Sequence, residues 1–132
     1  MIVTGSVFIL AFISAAQGQS LTSSEAVVHR AGQSATLSCT VQGISLAWLH
    51  WIRQKAGKGL EWIGRIDDGT GTIFAQNFQG QFSITKDTSQ NRVFLTVKSL
   101  KPEDSAVYYC AREDSCYFDY WGKGTQVTVT SA

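Results

Sequence analysis

The stretch Asp104-Ser105-Ala106-Val107-Tyr108-Tyr109-Cys110-Ala111-Arg112 decides how the rest of the chain is read. In an extended strand Ala106, Tyr108 and Cys110 point to one side and Val107 and Tyr109 to the other. Working outward, Cys39 lies 71 positions earlier, on the inward face of the alternating run Ala35-Thr36-Leu37-Ser38-Cys39-Thr40-Val41, and Trp51 follows it by twelve. This Cys, Trp, Cys order is the pattern in which a disulfide joins two stacked sheets against a buried indole. Closing so long a loop restricts the unfolded chain by about 4 kcal/mol on a chain-entropy account. Tyr108, two residues before Cys110, stands where a tyrosine corner returns its hydroxyl to upstream backbone.

Beyond these segments the chain keeps the same habit. Val93, Leu95 and Val97 alternate with polar or outward residues, as do Val127 and Val129 within Thr125–Thr130, and Phe82-Ser83-Ile84 is a shorter example. Turn residues separate the runs at Arg30-Ala31-Gly32, Gly57-Lys58-Gly59, Asp67-Asp68-Gly69-Thr70-Gly71 and Lys101-Pro102-Glu103-Asp104. Short strands at such spacing, with no long helical period, predict an all-β, two-sheet antiparallel sandwich. The chain has 132 residues, which suits one domain and excludes a multidomain enzyme. Eleven basic against ten acidic side chains give a net charge of +1 without charged blocks, so nucleic acid is not an expected partner.

The N-terminus reads differently. Val7–Ala16 is an uncharged apolar run, and Ala16-x-Gly18 offers small residues where a signal peptidase cuts. The run is far shorter than the roughly 20 residues a spanning helix needs. Residues 1–18 are therefore expected to be a cleaved signal peptide, with a domain over 19–132. Passage through an oxidising compartment permits a disulfide.

The motifs Trp51-Ile52-Arg53-Gln54, Gly59-Leu60-Glu61-Trp62-Ile63-Gly64, Ala106–Arg112 and Trp121-Gly122-Lys123-Gly124-Thr125 carry a more specific message. With them the chain resembles an immunoglobulin heavy-chain variable domain throughout the part after the leader. Phrases such as QSLTSSEAVV and QFSITKD are similar to those of bony-fish heavy chains. The resemblance implies the immunoglobulin variable-type sandwich, three antigen-binding loops at one end, and secretion or display on the extracellular side of the plasma membrane. It also implies constant domains in the full-length chain.

Carried onto this sequence, the loops fall at about Gly43–His50, Arg65–Phe74 and Glu113–Tyr120. The expected contact residues are Trp48, His50, Arg65, Asp67, Asp68, Thr70, Thr72, Glu113, Asp114, Ser115 and Tyr117. Acidic groups outnumber the single cation Arg65 among them, which predicts a preference for a cationic or donor-rich epitope. Ile52, Gln54, Leu60, Trp62, Tyr109, Phe118 and Trp121 match positions that, in the family, meet a light-chain variable domain. Arg112 and Asp119 match a salt bridge at the base of the third loop. Gln81 stands where many such domains pair an Arg with the equivalent of Asp104, which puts that bridge in doubt.

If Cys39 and Cys110 pair, Cys116 is left over. A free thiol, a small-thiol cap and a bond to another chain all remain open, with the first two favoured. Enzyme chemistry finds little support: the only histidines are His29 and His50, and no nucleophile elbow, metalloprotease or phosphate-loop motif is present. Cys110, Cys116 and His50 have the wrong spacing for a zinc finger, and no metal or other cofactor is expected. Another cell-surface receptor with a variable-type domain, working in adhesion or signalling, is the competing reading.

Overall fold

The computed structural model describes residues 18–131. The expected leader therefore lies outside the described residues except for Gly18. Eleven strands follow in order: β1 Ser20–Ser23, β2 Val27–Arg30, β3 Ala35–Gln42, β4 Leu49–Gln54, β5 Leu60–Ile66 and β6 Thr72–Phe74. The remainder are β7 Phe82–Asp87, β8 Arg92–Val97, β9 Ala106–Asp114, β10 Tyr117–Trp121 and β11 Thr125–Thr130. Single turns of 3-10 helix occupy Gln76–Phe78 and Pro102–Asp104.

Alternation in the sequence becomes alternation in burial. Leu37, Cys39 and Val41 of β3 turn inward, as do Val93, Leu95 and Val97 of β8 and Val127 and Val129 of β11. One sheet has the order β1-β3-β8-β7; the other runs β2-β11-β9-β4-β5-β6, with β10 also paired to β9. The expected sandwich is present, with one departure from antiparallel pairing. β1 pairs with β3 in the first sheet, and β2, three residues on, pairs parallel with β11 in the second. Having crossed between the sheets at Ser24–Ala26, the chain meets β11 running in its own direction.

The disulfide joins Cys39 to Cys110 across the two layers. Trp51 is buried in the same core cluster as both sulfurs. Its indole nitrogen is the one buried side-chain polar atom without a hydrogen-bond partner among the described residues, so packing is what holds the ring. At the end of the sandwich away from the expected loops, the Tyr108 hydroxyl donates to the Asp104 carbonyl at 2.7 Å, which forms the tyrosine corner. Burial pushes the Tyr108 phenol above its ordinary value, so it stays a neutral donor. Arg53, also buried, donates to Asp104 Oδ1 at 3.1 Å and to Glu61 Oε1 at 3.0 Å. No guanidinium comes from position 81; Gln81 Nε2 donates to Asp104 Oδ2 at 3.1 Å instead.

Candidate functional site

Three connections gather at the opposite end: Gly43–Trp48 between β3 and β4, Asp67–Gly71 between β5 and β6, and Ser115-Cys116 between β9 and β10. All three are shorter than the sequence suggested, because the flanking strands run further. The third shows why. The β9–β10 ladder pairs Asp114 with Tyr117, leaving two residues to turn the chain. Ser115 and Cys116 both have positive φ, 51° and 81°, the signature of a type I′ hairpin turn. Cys116 is an exposed free thiol at its tip.

Trp48 is where the three connections meet. Trp48 is 42% exposed, and its ring takes the Arg65 guanidinium at 5.0 Å, a cation–π contact from the first segment to β5, the strand that leads into the second. Its carbonyl accepts the Glu113 N–H at 3.0 Å, which ties the first segment to the end of β9, from which the third turns. Trp48, Glu113, Asp114 and Ser115 then line an open recess of about 290 Å³. Below it, Lys86 Nζ donates to the carbonyls of Leu46 and Asp68 at 3.1 and 3.2 Å, bracing the first two segments from β7. Nothing local to Lys86 in the sequence announces that role.

The second segment is built around Asp67. Its Oδ1 accepts the N–H groups of Gly69 and Gly71 at 2.7 and 3.1 Å, so this half-buried carboxylate shapes the turn. Asp68, Thr70, Asp114, Ser115 and Tyr117 are exposed, while Thr72 and Arg65 are half-buried. Lys86 adds one cation to this cluster, so the acidic surplus is smaller by one than the sequence implied; Asp67 and Glu113 keep their charge but are tied down, the first by backbone N–H groups and the second by His50.

His50 requires a correction. Expected as a contact residue, it is 6% exposed. Its Nε2 lies 2.8 Å from Glu113 Oε1, and its Nδ1 accepts from Trp62 Nε1 at 2.8 Å. The side chain is covered by Phe118, whose ring stands edge-on at 4.9 Å. At the base of the third connection, the β10 register shifts between Phe118 and Tyr120, and the extra residue is Asp119. That bulge aims its carboxylate at Arg112, which donates from Nε at 2.9 Å and from Nη2 as well. The Arg112 guanidinium holds the Asp119 carboxyl below its ordinary value.

The outer face of the second sheet carries a chain of rings. From His50 it passes to Phe118, then to Trp121 at 5.4 Å and Tyr109 at 6.1 Å. Leu60 is 57% and Trp121 42% exposed beside half-buried Gln54, Trp62, Tyr109 and Phe118. Ile52, expected with this group, is only 3% exposed. Tyr109 and Trp62 flank it on the neighbouring strands, so it lies beneath the face and supports it.

The immunoglobulin V-set domain family matches residues 22–130. The chain belongs to that family. This V-set domain is similar to Ig heavy chain V region XIG14 of Xenopus laevis, 48% identical over 103 residues, 75% of this chain and 76% of that protein. It is also similar to two Mus musculus proteins. Ig heavy chain V region MPC 11 is 42% identical over 118 residues, 84% of this chain and 98% of that protein. Ig heavy chain V region MOPC 141 is 43% identical over 110 residues, 75% and 76% of the two chains. The V-set domain is thus of the heavy-chain variable type, from a family that is extracellular and not enzymatic. No helix among the described residues is long and apolar enough to cross a membrane.

Proposed function

We propose that this domain recognises antigen on the surface where Trp48, Arg65 and Glu113 meet, as the heavy-chain half of a two-domain receptor. Antigen recognition is the function of heavy-chain variable regions, and relatives of that name do not favour an adhesion or signalling receptor. The junction at Trp48 carries the reading: its ring and carbonyl draw segments distant in sequence into one surface. Trp48 and Tyr117 supply rigid aromatic area, and Asp68, Thr70, Thr72, Asp114 and Ser115 supply adaptable polar contact. Asp67 holds the second segment in shape, and Arg65, half-buried, lies over the Trp48 ring at the edge of this surface.

Pairing the chain with light-chain variable domains from its own source, and selecting ligands on an antigen array, provides the test. Replacing Trp48, Asp114 or Tyr117 by Ala should weaken the selected ligand by about tenfold, or about 1.4 kcal/mol, at two or more of the three positions. Unchanged binding in all three variants would overturn the assignment.

The partner's seat is the ring-bearing outer face, through Gln54, Leu60, Trp62, Tyr109, Phe118 and Trp121. A lone domain rarely leaves two such large apolar groups as Leu60 and Trp121 so exposed together. Leu60→Arg is expected to weaken association with a light-chain variable domain by at least about tenfold and leave thermal stability unchanged. Wild-type association by the variant counts against this face. The oxidised inter-sheet bridge supports secretion or display at the cell surface.

A further inference from the structure

His50 belongs to neither recognition surface, yet it touches both. An indole nitrogen can only donate, so the Trp62 bond requires His50 Nδ1 to carry no proton. The single ring proton of the neutral imidazole therefore sits on Nε2 and is donated to Glu113 Oε1. One tautomer is fixed, with both nitrogens in use. At one nitrogen stands the carboxylate beside the Trp48 recess, and at the other the indole on the outer face.

We propose that His50 is a positioning residue, holding Glu113 of the antigen end and Trp62 of the partner face in one arrangement, and that proton uptake at its Nδ1 releases Trp62. The proton comes from solvent and points at the indole N–H across a 2.8 Å gap, donor against donor. The Trp62 bond is lost, while the bond to Glu113 survives as a charge-assisted one. Glu113 on β9 favours the imidazolium; Arg65 on β5 opposes it, and Trp62 on β5 and Phe118 on β10 present uncharged rings. Burial is the largest influence and, despite Glu113, keeps the imidazole below its ordinary value of 6.5. The locked arrangement consequently holds at neutral pH and yields on the acid side. The further consequence, that acid loosens the partner face, rests on the pairing proposed above.

The test needs no partner. The oxidised domain, labelled with nitrogen-15, is followed by NMR from about pH 8 to about pH 5, reading the His50 ring nitrogens and the indole N–H groups. The expected result is an Nε2–H tautomer at neutral pH, a His50 midpoint below 6.5, and a Trp62 indole resonance that moves with that midpoint while that of Trp51 stays still. His50→Asn keeps an acceptor for Trp62 and cannot titrate, so its Trp62 resonance should hold constant. An Nδ1–H tautomer, a Trp62 resonance indifferent to the His50 titration, or an undiminished shift in His50→Asn overturns the proposal. Should that variant not fold, the wild-type titration decides alone. Failure here leaves the light-chain face standing, and failure of Leu60→Arg to weaken pairing leaves this relay standing.

Discussion

Gln81 and Arg53 grip the two oxygens of one carboxylate: Gln81 Nε2 lies 3.1 Å from Asp104 Oδ2, and Arg53 Nη1 3.1 Å from Asp104 Oδ1. Lys101 N–H adds a third bond to Oδ2 at 2.9 Å. Gln81 directly precedes β7 in the first sheet, whereas Arg53 belongs to β4 in the second, so the buried Asp104 ties the layers together at the end remote from antigen.

A neutral amide therefore holds a place where a cation fits. Gln81→Arg is expected to stabilise the domain by about 1 kcal/mol, the usual difference between a charge-assisted and a neutral bond, and Gln81→Ala to cost about 0.5 to 1.5 kcal/mol. Chemical denaturation measures both. Destabilisation by Gln81→Arg contradicts the assignment of that site.

Cys116 sits in a conformation that suits glycine. A side chain in the left-handed region costs roughly 1 to 2 kcal/mol, and glycine's extra chain entropy offsets part of the gain. Cys116→Gly should raise stability by about 0.5 to 1 kcal/mol and abolish any covalent dimer made through this thiol. Cys116→Ser should leave the fold intact. Loss of folding in either variant would show that the thiol is structural.

Two turns that lack proline make opposite predictions. Lys58 N–H bonds the Lys55 carbonyl at 3.0 Å, and Gly57 has φ 71°, so Ala56 occupies the second position of a type II turn, where proline is favoured. Ala56→Pro should stabilise by about 0.4 to 1 kcal/mol through the unfolded chain. Ala31 holds the same position in the Arg30–Gln33 turn, but its N–H donates to the Thr130 carbonyl at 2.8 Å. Ala31→Pro removes that bond from the turn after β2 to β11 and should lower the melting temperature. Equal effects at both sites would refute the distinction.

Acid should weaken the domain in two stages. His50 titrates below 6.5 in the fold, so the unfolded chain takes the proton first; its contribution is complete above 6.5 and declines as pH falls from there towards the folded value. Asp119 is lowered from 3.8 by Arg112; its contribution is present above 3.8 and is lost as pH falls through the folded value. Denaturation midpoints across this range should show both declines in the wild type and only the lower one in His50→Asn. An unchanged upper decline in the variant would assign it to another group.

How much of this was readable in the sequence depends on how local each signal is. Leu37, Cys39 and Val41 announce their side of β3 because every second residue is apolar, and Tyr108 announces its corner by its distance from Cys110. β4 gives no such signal. Leu49, His50, Trp51, Ile52 and Arg53 are all buried, since Phe118 and Trp62 cover part of the outer face, so exposure of His50 and Ile52 was not deducible from alternation. The third loop looked long because Tyr117–Trp121 has no polar alternation, although its ladder to β9 is regular up to the bulge at Asp119. The turn at Asp67–Gly71 is legible from its Asp and Gly residues, but Asp67 is expected there as a contact group, whereas its side chain takes the downstream N–H groups, as an Asp-x-Gly turn allows. The parallel pairing of β2 and the brace from Lys86 arise from chain crossings that no short window contains.

Hydroxyl-radical footprinting of the light-chain-paired domain, with and without a selected antigen, tests the central claim most directly. The account predicts protection of the exposed Trp48 and Tyr117 rings on antigen addition, with the remote turns at Lys55–Gly59 and Gln79–Gln81 unchanged. Protection concentrated at those remote turns, with Trp48 and Tyr117 still fully reactive, would contradict it.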